Sequence, residues 1–247
     1  MTDNSVIDVL IRKIMSGDQN NQTQGILNDS AILANVKTFF VAGSETTSMT
    51  ICWCLYFLWL HSDILNEVRS EISQLYSNTY SRVNKTCDDV WIALSSEYMP
   101  LTNAVFKETL RLCPPGAMQI TQLESDTESF TMNNGLVFQP QDKLIIHTDM
   151  VMQDCEVFPD PLVFNPKRWL IDDKIQLAHM DECFMAFGSG PRQCPGTNLA
   201  HIEGLVGMCA VVQHFDFELA CPMDEIKRIL SFTAQPNKMP MCLQKRN

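Results

Sequence analysis

Apolar residues recur at helical spacing through the first half of the chain, whereas shorter strand-like segments follow in the second half. Asp29 or Ser30 can cap a long helix that is predicted to continue to about Trp59. A second helix is predicted to begin at Ser62, with its apolar residues on one stripe. A third covers residues 101–113 and ends at a pair of prolines. The first half is therefore predicted to be helical.

The long helix differs from the others because its apolar residues lie nearly all round it, which predicts a central helix buried along its length. A short amphipathic helix over residues 6–15 and a polar loop over residues 16–25 are predicted to precede it. The apolar positions that carry this prediction are Ile32, Leu33, Val36, Phe39, Phe40, Ile51, Trp53 and Leu55.

Strand signals dominate after the paired prolines. The tripeptide Asn133-Asn134-Gly135 is typical of a hairpin turn. Residues 154–185 hold three prolines and are predicted to be irregular. One more helix is expected after this segment. The predicted strands cover residues 129–132, 136–138, 143–148 and parts of 218–247, and the helix covers residues 195–215. Separate helix and strand blocks predict a predominantly helical α+β fold.

Composition narrows the class of protein. A hydrophobic content of 45% in 247 residues excludes a disordered chain, and a formal net charge of −11 argues against a nucleic-acid partner. The ten cysteines have irregular spacing and no secretory signal pattern precedes them, so we interpret them as mostly reduced, buried thiols. The most apolar run, residues 49–60, is shorter than the ~20 residues of a membrane span and fits a buried helix better.

The most informative segment is the glycine-rich stretch over residues 187–196, FGSGPRQCPG. Glycines allow tight turns and close approach to a flat ligand. Cys194 lies just before a predicted helix, and Arg192 is a fixed cation suited to a carboxylate. Taken singly, each residue is more often structural, and Cys194 alone fits a buried loop thiol. A thiolate beside an arginine in such a loop is what a heme iron with its propionates requires.

The complete stretch resembles the F-G-x-G-x-R-x-C-x-G-x-x-x-A pattern of the cytochrome P-450 superfamily of heme-thiolate monooxygenases. The resemblance implies that Cys194 is the axial ligand of a heme b iron and that Arg192 contacts a propionate. It further implies that the phenylalanine and the glycines shape the pocket around the sulfur. The fixed positions are Phe187, Gly188, Gly190, Arg192, Cys194, Gly196 and Ala200.

Two segments resemble the family's helix-and-meander pair. Residues 107–115, KETLRLCPP, resemble its E-T-L-R-L-x-P-P helix, and residues 164–169, FNPKRW, resemble its F-x-P-x-R-F/W meander. Alone, Glu108 and Arg111 would be read as a solvated surface pair. The resemblance implies instead that Glu108, Arg111 and Arg168 form a buried triad that holds the irregular loop beneath the heme.

Residues 42–47, AGSETT, lie midway along the long helix. Small and polar residues are costly in an apolar helix, and by themselves they are typical of a close crossing with another helix. The run also resembles the family's A/G-G-x-D/E-T-T motif. This implies that Glu45 and Thr46 deliver protons to bound oxygen, and that Ala42 and Gly43 border the cofactor.

These motifs lie in the family's order, and together they resemble the C-terminal half of its domain. We expect one truncated domain over residues 1–247, with the distal helix at about 29–60, the Glu–Arg helix at about 100–113, and the meander and cysteine loop at about 154–196. One departure is Thr121, since many relatives carry an arginine there that contacts a propionate.

The resemblance implies a heme-dependent monooxygenase that inserts one atom of molecular oxygen into a small, hydrophobic organic substrate, with electrons from a reductase. It favours the endoplasmic reticulum membrane for a full-length eukaryotic form. The alternatives are a catalytically inactive fragment that binds heme or a partner, and an unrelated helical interaction protein. The five histidines have no metal-site spacing and are read as structural or surface residues.

Overall fold

The computed structural model describes residues 29–79, 97–122, 128–231 and 233–246. The predicted helix over residues 6–15 and the loop over residues 16–25 lie outside this part. The chain divides into two compact units, residues 1–45 and 46–247. In the first unit, the described residues 29–45 are helical.

The described ranges contain six α-helices and three short 3-10 turns. The predicted long helix, the helix beginning at Ser62 and the Glu–Arg helix are all present, which confirms these three predictions. The α-helices are α1 (Asp29–Leu60), α2 (Ser62–Thr79), α3 (Pro100–Leu112), α4 (Thr148–Val151), α5 (Lys174–Glu182) and α6 (Thr197–His214), with 3-10 turns at Pro166–Leu170, Gly190–Arg192 and Met223–Glu225.

The strands pair in four small antiparallel sheets. They are β1 (Met118–Gln122) with β4 (Lys143–His147), β2 (Phe130–Thr131) with β3 (Val137–Phe138), β5 (Phe215–Leu219) with β8 (Met241–Lys245), and β6 (Arg228–Leu230) with β7 (Ala234–Pro236). In the first sheet Gln119 is opposite Ile146 and Thr121 is opposite Leu144. Small sheets beside dominant helices confirm the α+β fold class.

The core of the second unit is built by α2, α3, α6 and the C-terminal part of α1. Glycines let the helices approach closely. A Cβ at Gly204 of α6 would overlap the buried Phe106 ring of α3, and one at Gly207 would lie 2.7 Å from Ile51 Cδ1. The largest cluster of buried apolar side chains includes Leu58, Val68, Ile72, Val105, Phe106, Met208 and Val212.

Helix α3 carries several site residues, and its start is fixed from a neighbouring helix. Glu71 of α2 accepts the backbone N–H of Leu101 at 2.9 Å through Oε1 and that of Thr102 at 2.8 Å through Oε2. A carboxylate therefore satisfies N–H groups that have no partner inside the first turn. The N–H of Cys113 bonds to the Thr109 carbonyl at 2.8 Å, after which the two prolines end the helix.

Three predictions about local structure are wrong. Residues 33–42 of α1 are exposed rather than buried, and 76% of Phe40 is accessible to solvent. An apolar pattern shows which residues favour burial, but it does not show whether another element packs against them.

Residues 154–185 are not wholly irregular, because they contain helix α5. Asp173 caps the start of this helix by accepting from the N–H groups of Ile175 and Gln176. The cysteines are not mostly buried: of the nine in the described residues, three are exposed and three half-buried.

Candidate heme-thiolate site

The cysteine loop joins α5 to α6 and is held closed by its own backbone. The N–H of Cys194 donates to the Phe187 carbonyl at 2.9 Å, and the N–H of Gln193 donates to the Gly190 carbonyl at 3.0 Å. The Thr197 hydroxyl, in the first turn of α6, donates to the Cys194 carbonyl at 2.8 Å. Hydrogen bonds made by both the N–H and the carbonyl of Cys194 therefore fix the position of its Cα.

Two glycines make this loop possible. Gly188 and Gly190 both have φ of +70°, a left-handed conformation that costs an L-residue about 1–2 kcal/mol. Gly196 follows the cysteine, and a Cβ there would lie 3.8 Å from Cys194 Sγ. The glycines therefore permit the tight path of the loop and leave little bulk beside the sulfur.

Cys194 is exposed, unlike the thiols of the core. Burial raises the pKa of Cys54, Cys113 and Cys209 to about 12, so these three stay protonated. A protonated, enclosed thiol is a poor metal ligand. Within the described residues, Cys194 is the cysteine that combines an accessible sulfur with a glycine-lined loop before a helix.

Two other predicted residues of the loop, Arg192 and Phe187, precede Cys194 in the chain. Arg192 ends the short 3-10 turn Gly190–Arg192, is exposed, and forms no ion pair with a described residue. Phe187 is half-buried, and its ring centroid is 5.1 Å from that of His201 on α6. His201 also lies 5.3 Å from the Phe106 ring. Burial, and to a smaller degree the charge of Lys107, lowers the pKa of His201.

The structure brings Glu108, Arg111 and Arg168 together in a buried cluster. Glu108 Oε1 accepts from Arg111 Nη2 at 2.9 Å and from Arg168 Nε at 3.1 Å, and Oε2 accepts from Arg111 Nε at 2.9 Å. The side chains of Glu108 and Arg111 are fully buried and that of Arg168 is 6% exposed. The reading of Glu108 and Arg111 as a solvated surface pair is therefore wrong.

The two arginines also bind the irregular segment itself. Arg111 Nη1 donates to the Met152 carbonyl at 2.8 Å, and Arg168 Nη1 donates to the Pro159 carbonyl at 2.7 Å. Carbonyls that no helix or strand could satisfy are thus paired with buried cations. The cluster fixes the course of the chain between α4 and the turn Pro166–Leu170.

Sequence reasoning missed one member of this cluster. The meander pattern identifies Trp169 only as its aromatic residue, yet the indole Nε1 of Trp169 donates to Glu108 Oε2 at 2.9 Å. The backbone N–H of Asn165 adds another bond to Oε1 at 3.1 Å. Because a buried tryptophan usually donates its N–H to an acceptor, the sequence alone could have suggested that Trp169 has a polar partner.

The distal motif lies across the division between the two units: Ala42, Gly43 and Glu45 belong to the first and Thr46 to the second. Glu45 and Thr46 are half-buried and Ala42 is exposed. A Cβ at Gly43 would meet no described atom within 4 Å.

One hydroxyl in this region was also missed. Thr47 is 7% exposed, and its Oγ1 is buried without a hydrogen-bond partner in the described part of the chain. Ser44, one turn earlier on the helix, donates to the Phe40 carbonyl at 2.8 Å. Asn35, Thr38 and Thr50 of the same helix likewise donate to backbone carbonyls four residues earlier, whereas Thr47 has no such bond among the described residues.

No cluster of three or more His, Cys, Asp or Glu side chains suited to a metal ion occurs among the described residues. A heme iron needs only one strong protein donor, and Cys194 is of the required type. An accessible sulfur on a hydrogen-bonded loop, flanked by glycines and an exposed arginine, therefore fits a heme with anionic propionates.

No single helix in the described ranges is long and apolar enough to cross a membrane.

The family model of cytochrome P450 matches residues 1–243, and the chain belongs to this family. The chain is 29% identical over 219 residues to the mitochondrial sterol 26-hydroxylase of Rattus norvegicus, covering 87% of this chain and 39% of that protein. It is 30% identical over 217 residues to the mitochondrial cholesterol side-chain cleavage enzyme of Hypanus americanus, covering 87% and 38%. The chain thus spans about two fifths of the length of these relatives.

The fold is similar to solved structures of the same family. The crystal structure of a cytochrome P450 (CYP102L1) superposes with a TM-score of 0.73 at 23% identity, covering 89% of this chain and 46% of that one. The heme domain of cytochrome P450DA gives 0.72 at 21% identity, covering 90% and 46%. The predicted fold class, part of a cytochrome P450 domain, is confirmed.

Proposed function

We propose that this chain carries the heme-thiolate site of a monooxygenase, with the Cys194 sulfur as the axial ligand of heme b. The observation that carries the proposal is the accessible Cys194 thiol on a loop closed by the 2.9 Å bond to the Phe187 carbonyl. A fixed backbone gives the sulfur one approach direction to a metal. When bound, the heme supplies oxygen activation, which a thiolate ligand favours by donating electron density.

Around the sulfur, Phe187, Gly188, Gly190 and Gly196 shape the proximal surface. Arg192 binds a propionate, because its guanidinium is exposed and uncommitted to any described acidic residue. Ala42 and Gly43 border the cofactor, as their match to the family's distal motif implies. Their small side chains leave room for a ligand as small as molecular oxygen.

Glu45 and Thr46 hold protons and deliver them to bound oxygen, as the same motif implies. Both are half-buried, so their exchange with bulk water is restricted without being abolished. A carboxyl group can take a proton from solvent, and a neighbouring hydroxyl can pass one on while accepting another. The pair therefore has the chemistry required of a proton relay.

The Glu108 cluster has a structural role in this proposal. It ties α3 to the irregular segment that precedes the cysteine loop, and so limits movement of the loop's N-terminal side. The substrate is a small, hydrophobic organic molecule, and the electrons come from a reductase. Attachment to the endoplasmic reticulum membrane in a longer eukaryotic form remains a prediction.

Spectroscopy of the full chain reconstituted with heme tests the proposal. On reduction and addition of carbon monoxide, we expect a red-shifted thiolate-type Soret band in wild type and its loss in Cys194→Ser. Oxygenated product formed with a reductase then tests turnover. A thiolate band without product would favour the inactive heme-binding fragment, and identical bands in both proteins would overturn the assignment of Cys194.

A further inference from the structure

The side chain of Gln119 packs against the cysteine loop. A Cβ added at Gly188 would lie 3.4 Å from Gln119 Oε1 and 3.9 Å from Nε2. Gly188 directly follows Phe187, whose carbonyl holds the N–H of Cys194. The Gln119 amide therefore lies one residue from the bond that closes the loop, although Gln119 belongs to strand β1, far away in sequence.

This amide has hydrogen-bonding capacity that the described protein does not use. A glutamine amide offers two donors and an acceptor oxygen, and its two ends can exchange by rotation. Throughout the described ranges, no residue forms a hydrogen bond with the Gln119 side chain. The residue is half-buried, so its amide still reaches water, and an anionic acceptor in place of that water would give it a stronger hydrogen bond.

The strand register defines which neighbours share its face. Residues alternate between the two faces of a strand, so Gln119 and Thr121 point one way while Ile120 and Gln122 point the other. Ile120 is 67% exposed, which identifies its face as the solvent side. Gln119 lies on the face that approaches the loop, where its side chain reaches farther than that of Thr121.

We propose that the Gln119 amide donates a hydrogen bond to a propionate carboxylate of the heme. The inference rests on the proposed function, since it requires a heme on the Cys194 loop. The propionates are the hydrogen-bonding groups on the periphery of heme b, whereas the rest of its edge is apolar. A half-buried amide beside the loop thus finds its acceptor on a propionate, complementing the charge of Arg192.

Heme dissociation from the reconstituted full chain tests this contact, with release followed by transfer to an excess of a heme-scavenging protein. We expect Gln119→Leu to lose heme about tenfold faster than wild type. This factor corresponds to the weaker hydrogen bonds among those made to charged groups. The matched control is Gln122→Leu, the same substitution on the solvent face of the same strand, and it should release heme at the wild-type rate.

A second probe separates hydrogen bonding from loop packing. With the iron complex of protoporphyrin dimethyl ester, whose ester carbonyls are weaker acceptors than carboxylates, the release rates of wild type and Gln119→Leu should differ by clearly less than tenfold. A tenfold difference that persists with the ester would overturn the proposal, because it would indicate packing against Gly188. Equal rates of the two proteins with ordinary heme would overturn it as well.

The reduced carbon monoxide complex distinguishes this outcome from failure of the proposed function. If wild type shows the thiolate-type band while Gln119→Leu behaves as wild type in both release assays, only the role of Gln119 is wrong. If wild type takes up no heme, or binds it without that band, the assignment of Cys194 fails and that of Gln119 fails with it.

Discussion

Replacing Glu108 by alanine should be among the most damaging single changes in the second unit. The substitution removes the carboxylate that accepts from Arg111, Arg168, Trp169 and the backbone of Asn165. Two guanidinium groups would then remain in the interior without a counter-charge. An unpaired buried charge costs far more than the intact pair contributes, so the loss comes mainly from what is left behind.

The magnitude follows from burial. The side chains of Glu108 and Arg111 are fully buried and that of Arg168 is 6% exposed, so water cannot replace the lost partner without local opening. Breaking such a pair costs about 3–5 kcal/mol. A whole domain is stable by only about 5–15 kcal/mol, so we expect a large shift of the urea midpoint and loss of heme incorporation.

A nearby exposed pair provides the control. Glu67 Oε1 accepts from Lys167 Nζ at 2.8 Å, with 46% and 55% of the two side chains exposed. Glu67→Ala should change the free energy of unfolding by less than about 1 kcal/mol. If Glu108→Ala costs as little as Glu67→Ala, or keeps the wild-type heme content, the account of the buried cluster is refuted.

Three further predictions concern packing, titration and thiol access. Gly204→Ala should destabilise the chain by about 1–3 kcal/mol in urea unfolding, because the new Cβ overlaps the buried Phe106 ring; an unchanged midpoint would contradict this packing. Burial lowers the pKa of His201 from 6.5, so the unfolded chain binds more protons as the pH falls through 6.5, and wild type should lose stability there relative to His201→Gln; parallel pH curves would contradict it. In the native heme-free chain, iodoacetamide should modify Cys194 long before the buried Cys113, as read by peptide mass spectrometry, and equal rates would contradict the burial of Cys113.

The helices were predictable because their signals are local. The long apolar run, the start at Ser62 and the paired prolines each act within a few residues, and the observed helices follow them. Helix α5 was not predicted, because the three prolines of residues 154–185 favour an irregular segment. Asp173 is nevertheless a residue type that caps helices, and it begins this one. Strand β1 was not predicted, since its mixed polar sequence acquires its conformation from pairing with β4.

The cysteine loop and the Glu108 cluster differ in how much the sequence could reveal. The loop is one continuous motif, so its residues and spacing can be read directly. In the cluster, the indole of Trp169 and the carbonyls of Met152 and Pro159 come from separate segments, and backbone acceptors have no sequence signal. Gln119 was missed for the same reason, because only the folded chain places strand β1 against Gly188.

The central claim, that Cys194 sulfur binds the heme iron, is tested most directly by iron-edge X-ray absorption on the reconstituted ferric chain. A sulfur scatterer in the first coordination sphere of wild type, replaced by a nitrogen or oxygen scatterer in Cys194→Ser, is the predicted result. A first sphere without sulfur in wild type, or the same sulfur signal in both proteins, would contradict it.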